Sequence, residues 1–426
     1  MTGLTWLDKS EAAAADWPAA AEAGSLLARL GWPVRAVGGA AAALSSGQAC
    51  VAAAPASIGQ DWAASGAMAL TGRVGGPCRH PAGRPATIAR GASLALELVT
   101  GAVVDGSALL GERAALMRLH RRGQTSAGGG TRLLPAADGW WALNLARDRD
   151  LVPALTACLP TGDDAWQQVT RWGQRMAVTQ ILERTRLLGM AASGLAETLA
   201  HPAPFRTSTR PCSTAGRDRP LVVNLGRLWA GPLAANLLAL AGAEVIDAED
   251  PRRPDPVRRD APDFYALLHA GHRRLAVDFT DPRDVRRLLV AADIVIEASR
   301  PRALQALGAD ADTVLGDGRA RTWLRITGHR DLHRVAFGDD AAIAGGLVAW
   351  DGGQPVFAGD AIADPLTGLL GALAVAALHS PASTTVIDVA MADVAAYCAG
   401  TPGAGDTARP CDQMAPPHVA HRQSRP

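Results

Sequence analysis

The sequence predicts an α/β protein, a Rossmann-like and mostly parallel sheet domain accompanied by a smaller α+β domain. Three observations predict it. After residue 220, short β-branched runs alternate with helical stretches, which is the order of βαβ units. Around 201–219, Pro202, Pro204 and Pro211 stand among Ser, Thr and Arg with no apolar period, a composition that marks a domain boundary. Before that boundary, amphipathic helices surround a glycine loop and an Asp138-Gly139 turn.

The chain has 426 residues, enough for two or three domains with buried cores. Hydrophobic residues make up 48% and charged residues 19%, as in an ordinary globular protein. A net charge of +1 gives no electrostatic basis for binding nucleic acid or an acidic membrane. Lys9 is the only lysine, which leaves little room for Schiff-base chemistry or a P-loop, while the arginines keep anion binding open. The six cysteines are scattered without a C-x-x-C pair, so neither a disulfide framework nor a zinc cage is expected. No signal peptide and no membrane span are read, and a cytoplasmic location is the expectation.

In order, residues 1–58 form an Ala/Gly-rich segment in which Ser10 to Leu30 is helical and Pro18 a break. Residues 59–200 form the smaller region. Asp61 to Gly72 reads as a helix with a glycine stop, followed by a loop to Arg90 and helices at Ala92–Val99 and Ala108–Leu119. Gly128, Gly129 and Gly130 make a glycine loop ahead of a hairpin, Arg132–Leu134 with Trp140–Leu145. Such a loop is either a flexible connector or a backbone cradle that offers N–H groups to a ligand. Further helices are expected near 151–158, 164–169, 176–188 and 195–199. Residues 201–219 read as linker, 220–400 as the Rossmann-like domain, and the Pro-rich 401–426 as a disordered tail.

Within 220–400, strands are expected at Leu221–Leu225, Glu244–Ala248, Leu275–Val277, Ile294–Glu297, Trp323–Ile326 and Thr384–Val389. The turn after the first, Gly226 to Pro232, lacks G-x-G-x-x-G and carries Trp229 and Pro232, which argues against a dinucleotide. Arg252, Arg253, Arg258 and Arg259, and His272-Arg273-Arg274, lie at loop positions beside strand ends. They read either as anion contacts or as solvated charge runs with Asp250, Asp255 and Asp260. His269 and His272 have metal-ligand spacing on a helix, but no third ligand is evident, so solvated histidines are expected.

Gly359 to Gly368 delivers Asp364-Pro365 to the start of an apolar helix. With Pro365 at the first helical position, Asp364 falls at the N-cap. It reads as a helix cap or as a nucleophile kept ionised by backbone N–H groups and the helix dipole.

Arg227 to Pro232 through Gly242 to Ile246 resembles the opening signature of the family III CoA-transferases. His272 to Asp278, Glu297 to Pro301, Thr327-Gly328 and the Gly359–Leu378 segment are similar to further segments of that family. Gly128 to Gly130 and the Asp138–Trp140 turn resemble its small-domain loop. Here the small-domain-like segment comes first, an order permuted relative to the family, and Asp61 to Leu98 resembles a worn copy of Asp340 to Leu373. The resemblance implies transfer of coenzyme A from an acyl-CoA to a carboxylic acid, with Asp364 as nucleophile and the glycine loop stabilising oxyanions. It places CoA contacts at Arg227, Gly231, Arg252, Arg253, His272, Arg273 and Arg300, requires no metal, and implies a homodimer. Two alternatives are an α-methylacyl-CoA racemase, whose His-Asp pair falls on Asp339-Asp340 here, and a catalytically lapsed CoA-binding subunit.

Overall fold

The computed structural model describes residues 4–5, 18–32, 34–35, 42–44, 50–51, 56–157, 164–199, 203–212, 217–298, 301–316, 321–400 and 414–424. Its centre is a seven-stranded sheet. The strands run in the order Arg273–Ala276, Glu244–Glu249, Leu221–Asn224, Ile294–Glu297, Thr322–Thr327, Ser383–Ala390 and Arg206–Pro211. The first six are parallel and the last pairs antiparallel along one edge. Chain order reverses between the Leu221–Asn224 and Ile294–Glu297 strands, so a crevice opens at their carboxyl ends.

Side chains alternate between the two faces of this sheet with a period of two. Val222, Ile294, Ile296, Leu324, Ile326 and Ile387 pack on one side against helices Pro18–Arg29, Pro85–Thr100, Ala230–Leu240 and Ala363–Leu378. Val223, Val295 and Trp323 point the other way, onto Val285, Leu289, Val314 and Leu315 of two shorter helices. The Ala363–Leu378 helix is apolar nearly all round because it is covered nearly all round, with Leu366, Leu370 and Leu373 fully buried. It lies tight on its neighbour: a Cβ on Gly368 would come within 2.7 Å of the Ala230 carbonyl oxygen.

The smaller region is a three-stranded meander, Thr131–Pro135, Trp140–Asn144 and Ala192–Gly194. It has a separate core in which Trp141, Trp166 and Trp172 meet Val169 and Ile181 of two covering helices. Arg132 stacks on Trp166 at 4.6 Å. Leu133 and Ala142 face Ile343, Val348 and Phe357, which ties this region to the segment that carries Asp364.

The α/β expectation holds, and every strand expected after residue 220 forms with small shifts of boundary. Several local expectations are corrected. Pro18 begins the Pro18–Arg29 helix rather than breaking one, since a first-turn proline loses no hydrogen bond. The loop expected up to Arg90 ends at Pro85, which starts a 16-residue helix for the same reason. Leu195–Leu199 is not helical; the segment turns away after the Ala192–Gly194 strand. The expected 201–219 linker contains the Arg206–Pro211 strand, whose exposed, polar pattern fits a sheet edge.

Of the tail expected to be disordered, residues 401–413 lie outside the described residues, and 414–424 dock. Arg422 forks onto both carboxylate oxygens of fully buried Glu112, at 2.5 and 2.7 Å, and Ala420 donates its N–H to the same group. An ion pair with a buried carboxylate anchors a segment that has almost no aliphatic side chains. Arg422→Met strands the Glu112 charge and is expected to lower unfolding free energy by about 3 kcal/mol in urea denaturation.

Candidate active site

Asp364 sits in the first turn of the Ala363–Leu378 helix, inside the helix rather than at the expected N-cap, which is Ile362. Its carboxylate is held by the start of a different helix. Gly338 N–H, at the beginning of Gly338–Ala344, donates to Asp364 Oδ2 at 3.1 Å. Only glycine fits there, because a Cβ on residue 338 would lie 2.2 Å from that oxygen and 2.4 Å from the Ala361 carbonyl.

Three further carboxylates crowd the same spot. Asp339 accepts the Ala361 N–H at 3.0 Å and the Thr131 hydroxyl at 3.3 Å. Asp340, fully buried, accepts the Phe337 N–H at 2.9 Å and has no partner for its second oxygen among the described residues. Asp360, also fully buried, takes both arms of Arg113, Nε at 2.8 Å and a terminal nitrogen at 2.5 Å. The loop joining these groups is strained: Ala361 has φ +42°, a left-handed value that a side chain disfavours.

Burial dominates the electrostatics. It pushes the Asp364 carboxyl up to about 7, opposed by the Arg113 guanidinium and reinforced by Asp339. Burial and the Asp360 charge raise Asp339 to about 6, against the pull of Arg113. Burial carries Asp340 well above the usual carboxylate range. The expectation of a carboxylate kept fully ionised by helix capping is therefore corrected, since desolvation outweighs the single N–H.

Asp364 opens into a cavity of about 450 Å³ at the carboxyl end of the sheet, beside the point where strand order reverses. Arg227, Gly231 and Arg253, all expected contacts, line it together with Asp364. So do Leu228, Ala298, Thr327, Phe337 and Met391, and two arginines the sequence reading missed, Arg147 and Arg334. Arg147 comes from the smaller region, so both parts of the chain form the cavity walls. Arg334 is paired with Glu197 at 2.6 Å. Leu228 is the second strained residue here, at φ +72°, with its N–H held by Asp255.

Other expected contacts fall elsewhere. Arg252 is engaged by Asp250 and Asp278, and Arg273 by Glu244 at the amino end of its strand. Arg252 thus sits in a charge run with Asp250, as the sequence allowed, while Arg273 pairs with an acid of the adjacent strand. Arg300 lies outside the described residues. His272 and His269 are not solvated: both present Nδ1 to one oxygen of Asp247, at 2.9 and 2.7 Å, while Asn224 binds the other at 2.8 Å. Asp247 is thus the third member that spacing did not reveal, and the two imidazoles hold its carboxyl far below the usual range against burial. Three such groups could hold a cation, yet the contacts made are hydrogen bonds that satisfy a buried acid.

Gly128 to Gly130 do not line the cavity. Gly128 lies against Arg113, with a Cβ there 3.4 Å from the guanidinium, and Ser126 and Thr131 on either side reach Asp339. The glycine loop thus joins the acidic cluster rather than the cavity wall. Arg113 and Asp360 carry no motif of their own in the sequence, whereas Asp339-Asp340 was singled out there. Gly338→Ala is expected to cost about 2 kcal/mol of stability by overpacking, while Gly139→Ala, in ordinary contact with Val178, costs well under 1 kcal/mol; chemical denaturation compares the two.

Comparison with known proteins bears on this half of the chain. Residues 220–424 match the family model described as CoA-transferase family III. A succinate–glutarate CoA-transferase of Agrobacterium fabrum is 32% identical over 200 residues, which is 41% of this chain and 50% of that protein. A mouse succinyl-CoA:glutarate CoA-transferase is 30% identical over 181 residues, 38% of this chain and 42% of its own. A succinyl-CoA–D-citramalate CoA-transferase of Chloroflexus aurantiacus is 30% identical over 178 residues, 37% and 44%. The chain spans about half the length of these relatives. No helix among the described residues is long and apolar enough to cross a membrane. The stretch similar to CoA-transferase family III, residues 220–424, carries Asp364 and most of the cavity wall.

Proposed function

We propose that this protein transfers coenzyme A from an acyl-CoA to a carboxylic acid, with Asp364 as a covalent nucleophile. The observation that carries this reading is a desolvated carboxylate facing an arginine-lined cavity, on a segment of CoA-transferase sequence. Arg227 and Arg253 at the mouth are placed to take anionic groups of the CoA, as guanidinium does with phosphate. Short dicarboxylic acids, which the names of the three relatives carry, are the first substrates to test.

In this mechanism an Asp364 oxygen attacks the thioester carbonyl, the C–S bond breaks, and CoA leaves as thiolate. The thiolate then attacks the Asp364 carbonyl of the mixed anhydride, expelling the donor acid and leaving an aspartyl-CoA thioester. The acceptor carboxylate displaces thiolate from this thioester, and thiolate attack on the acceptor carbonyl yields the new acyl-CoA and free Asp364. Desolvation suits each step, because a carboxylate with a raised pKa is a stronger nucleophile and its anhydride is kept from water. The Gly338 N–H bound to Oδ2 stays in place to stabilise the oxyanion formed on the aspartyl carbon.

The racemase alternative needs a base and an acid flanking the α-carbon. At the position of the expected His-Asp pair stand Asp339, engaged by Ala361 N–H, and the deeply buried Asp340. Neither reaches the cavity wall, and that favours the transferase.

Two outcomes test the proposal. Incubation with an acyl-CoA and then hydroxylamine converts Asp364 to a hydroxamate detectable by peptide mass spectrometry, and Asp364→Ala lowers transfer at least about 10³-fold while CoA still binds. Retained transfer in Asp364→Ala, or α-carbon deuterium exchange without CoA transfer, would contradict it. Because only ionised Asp364 attacks, kcat/KM rises with pH and levels off above about 7.

A further inference from the structure

The N-terminal half of the chain supplies one cation to the acidic cluster. Arg113, on the Glu112–Met117 helix, lies outside the segment matched to the family, and its fork closes on Asp360. Its planar face rests 4.9 Å from the Trp229 ring, and Gly128 backs onto its terminal nitrogen. Three loops therefore meet on one guanidinium: the Asp360 loop, the Trp229 loop and the glycine loop. Clamping Asp360 also braces the strained Ala361, whose N–H holds Asp339 and whose carbonyl accepts the Asp364 N–H at 2.8 Å.

The charges around Asp364 do not balance locally. Asp339 and Asp340 face it from the Gly338–Ala344 helix and Asp360 from its own loop. Arg113 is the cation whose field acts on Asp364 from within this cluster, and Arg147, Arg227, Arg253 and Arg334 face it across the open cavity. Those four are exposed or paired, so screening weakens them, while a cation bound to a buried carboxylate is screened far less.

We infer that Arg113 and Asp360 are an opposed pair of positioning residues for Asp364: Arg113 supplies the positive charge that lets Asp364 carry its negative one, and Asp360 limits how much of that charge reaches it. Neither touches the reacting atoms. The pair also makes the reaction depend on the N-terminal half, since the nucleophile of one segment is tuned by a residue of the other. This inference rests on the transferase reading for its kinetic consequence, though not for its electrostatic one.

The two substitutions must act in opposite directions. Removing Arg113 removes an attraction for the Asp364 anion and raises its pKa. Removing the Asp360 charge removes a repulsion, leaves Arg113 free to act on Asp364, and lowers it. Arg113→Met is expected to move the acidic limb of the kcat/KM profile up by about one pH unit or more, and Asp360→Asn to move it down by a similar amount. KM for the acyl-CoA changes little, because neither side chain lines the cavity. Limbs that stay in place, or that move the same way, would overturn the inference. Should Arg113→Met fail to fold, Asp360→Asn is read beside Asp360→Glu: loss of the Asp360 charge lowers the limb only in Asp360→Asn, whereas a limb lowered in both reports hydration of Asp364 and would overturn the inference. Titration of the Asp364 carboxyl by ¹³C NMR, assigned with Asp364→Asn, reads the same shifts without turnover. Variants that show these shifts, with no transfer by the wild-type protein, would sink the transferase reading and leave the inference standing.

Discussion

The site depends on a single tension, the cost of burying Asp364 against the few dipoles and charges that offset it. One backbone N–H from Gly338 and one half-buried guanidinium stand against desolvation and the charges of Asp339 and Asp360. Desolvation wins by enough to bring the carboxyl to about 7. The result is a nucleophile with substantial proton affinity that is still half ionised near neutrality. A carboxylate on a solvated helix cap would be ionised but weak; one buried without Arg113 would be neutral and inert.

The fold supplies this tension at a place where ligands can reach it. Parallel strands direct their carboxyl ends and the N-termini of the following helices to one side of the sheet, and reversal of strand order leaves a crevice there. Gly226 to Gly231 forms one wall, and the Thr327–Phe337 connection forms the other. The helix that bears Asp364 is itself packed between Ala230–Leu240 and Pro85–Thr100, so its first turn has little freedom to move. Gly338 and Gly368 share one logic: each lets backbone approach where a methyl group would collide.

Much of this was legible in the sequence because it follows local rules. Alternating β-branched runs gave the strands after residue 220, and the helix Pro282–Ala291 starts with an Asp281 cap and a first-turn proline, both local signals. Asp364 was found from its neighbourhood with Pro365 and the apolar run. What was not legible depends on contacts distant in sequence. Arg113 and Asp360 lie 247 positions apart, Glu112 and Arg422 310 apart, and neither pair has a local signature. His269 and His272 were read as solvated because their partner, Asp247, arrives from a neighbouring strand. The sign of the Asp364 shift was missed because a capping argument counts donors, whereas burial depends on what covers them.

The central claim is that oxygen atoms pass through Asp364. Each turnover of the proposed cycle leaves one carboxylate oxygen of the acceptor acid on Asp364 and sends it into the donor acid of the next turnover. Turnover with an ¹⁸O-labelled acceptor, followed by mass spectrometry of the Asp364 peptide, tests this directly. The account predicts a peptide heavier by one ¹⁸O and label in the released donor acid. CoA transfer that leaves the Asp364 peptide unlabelled would contradict it.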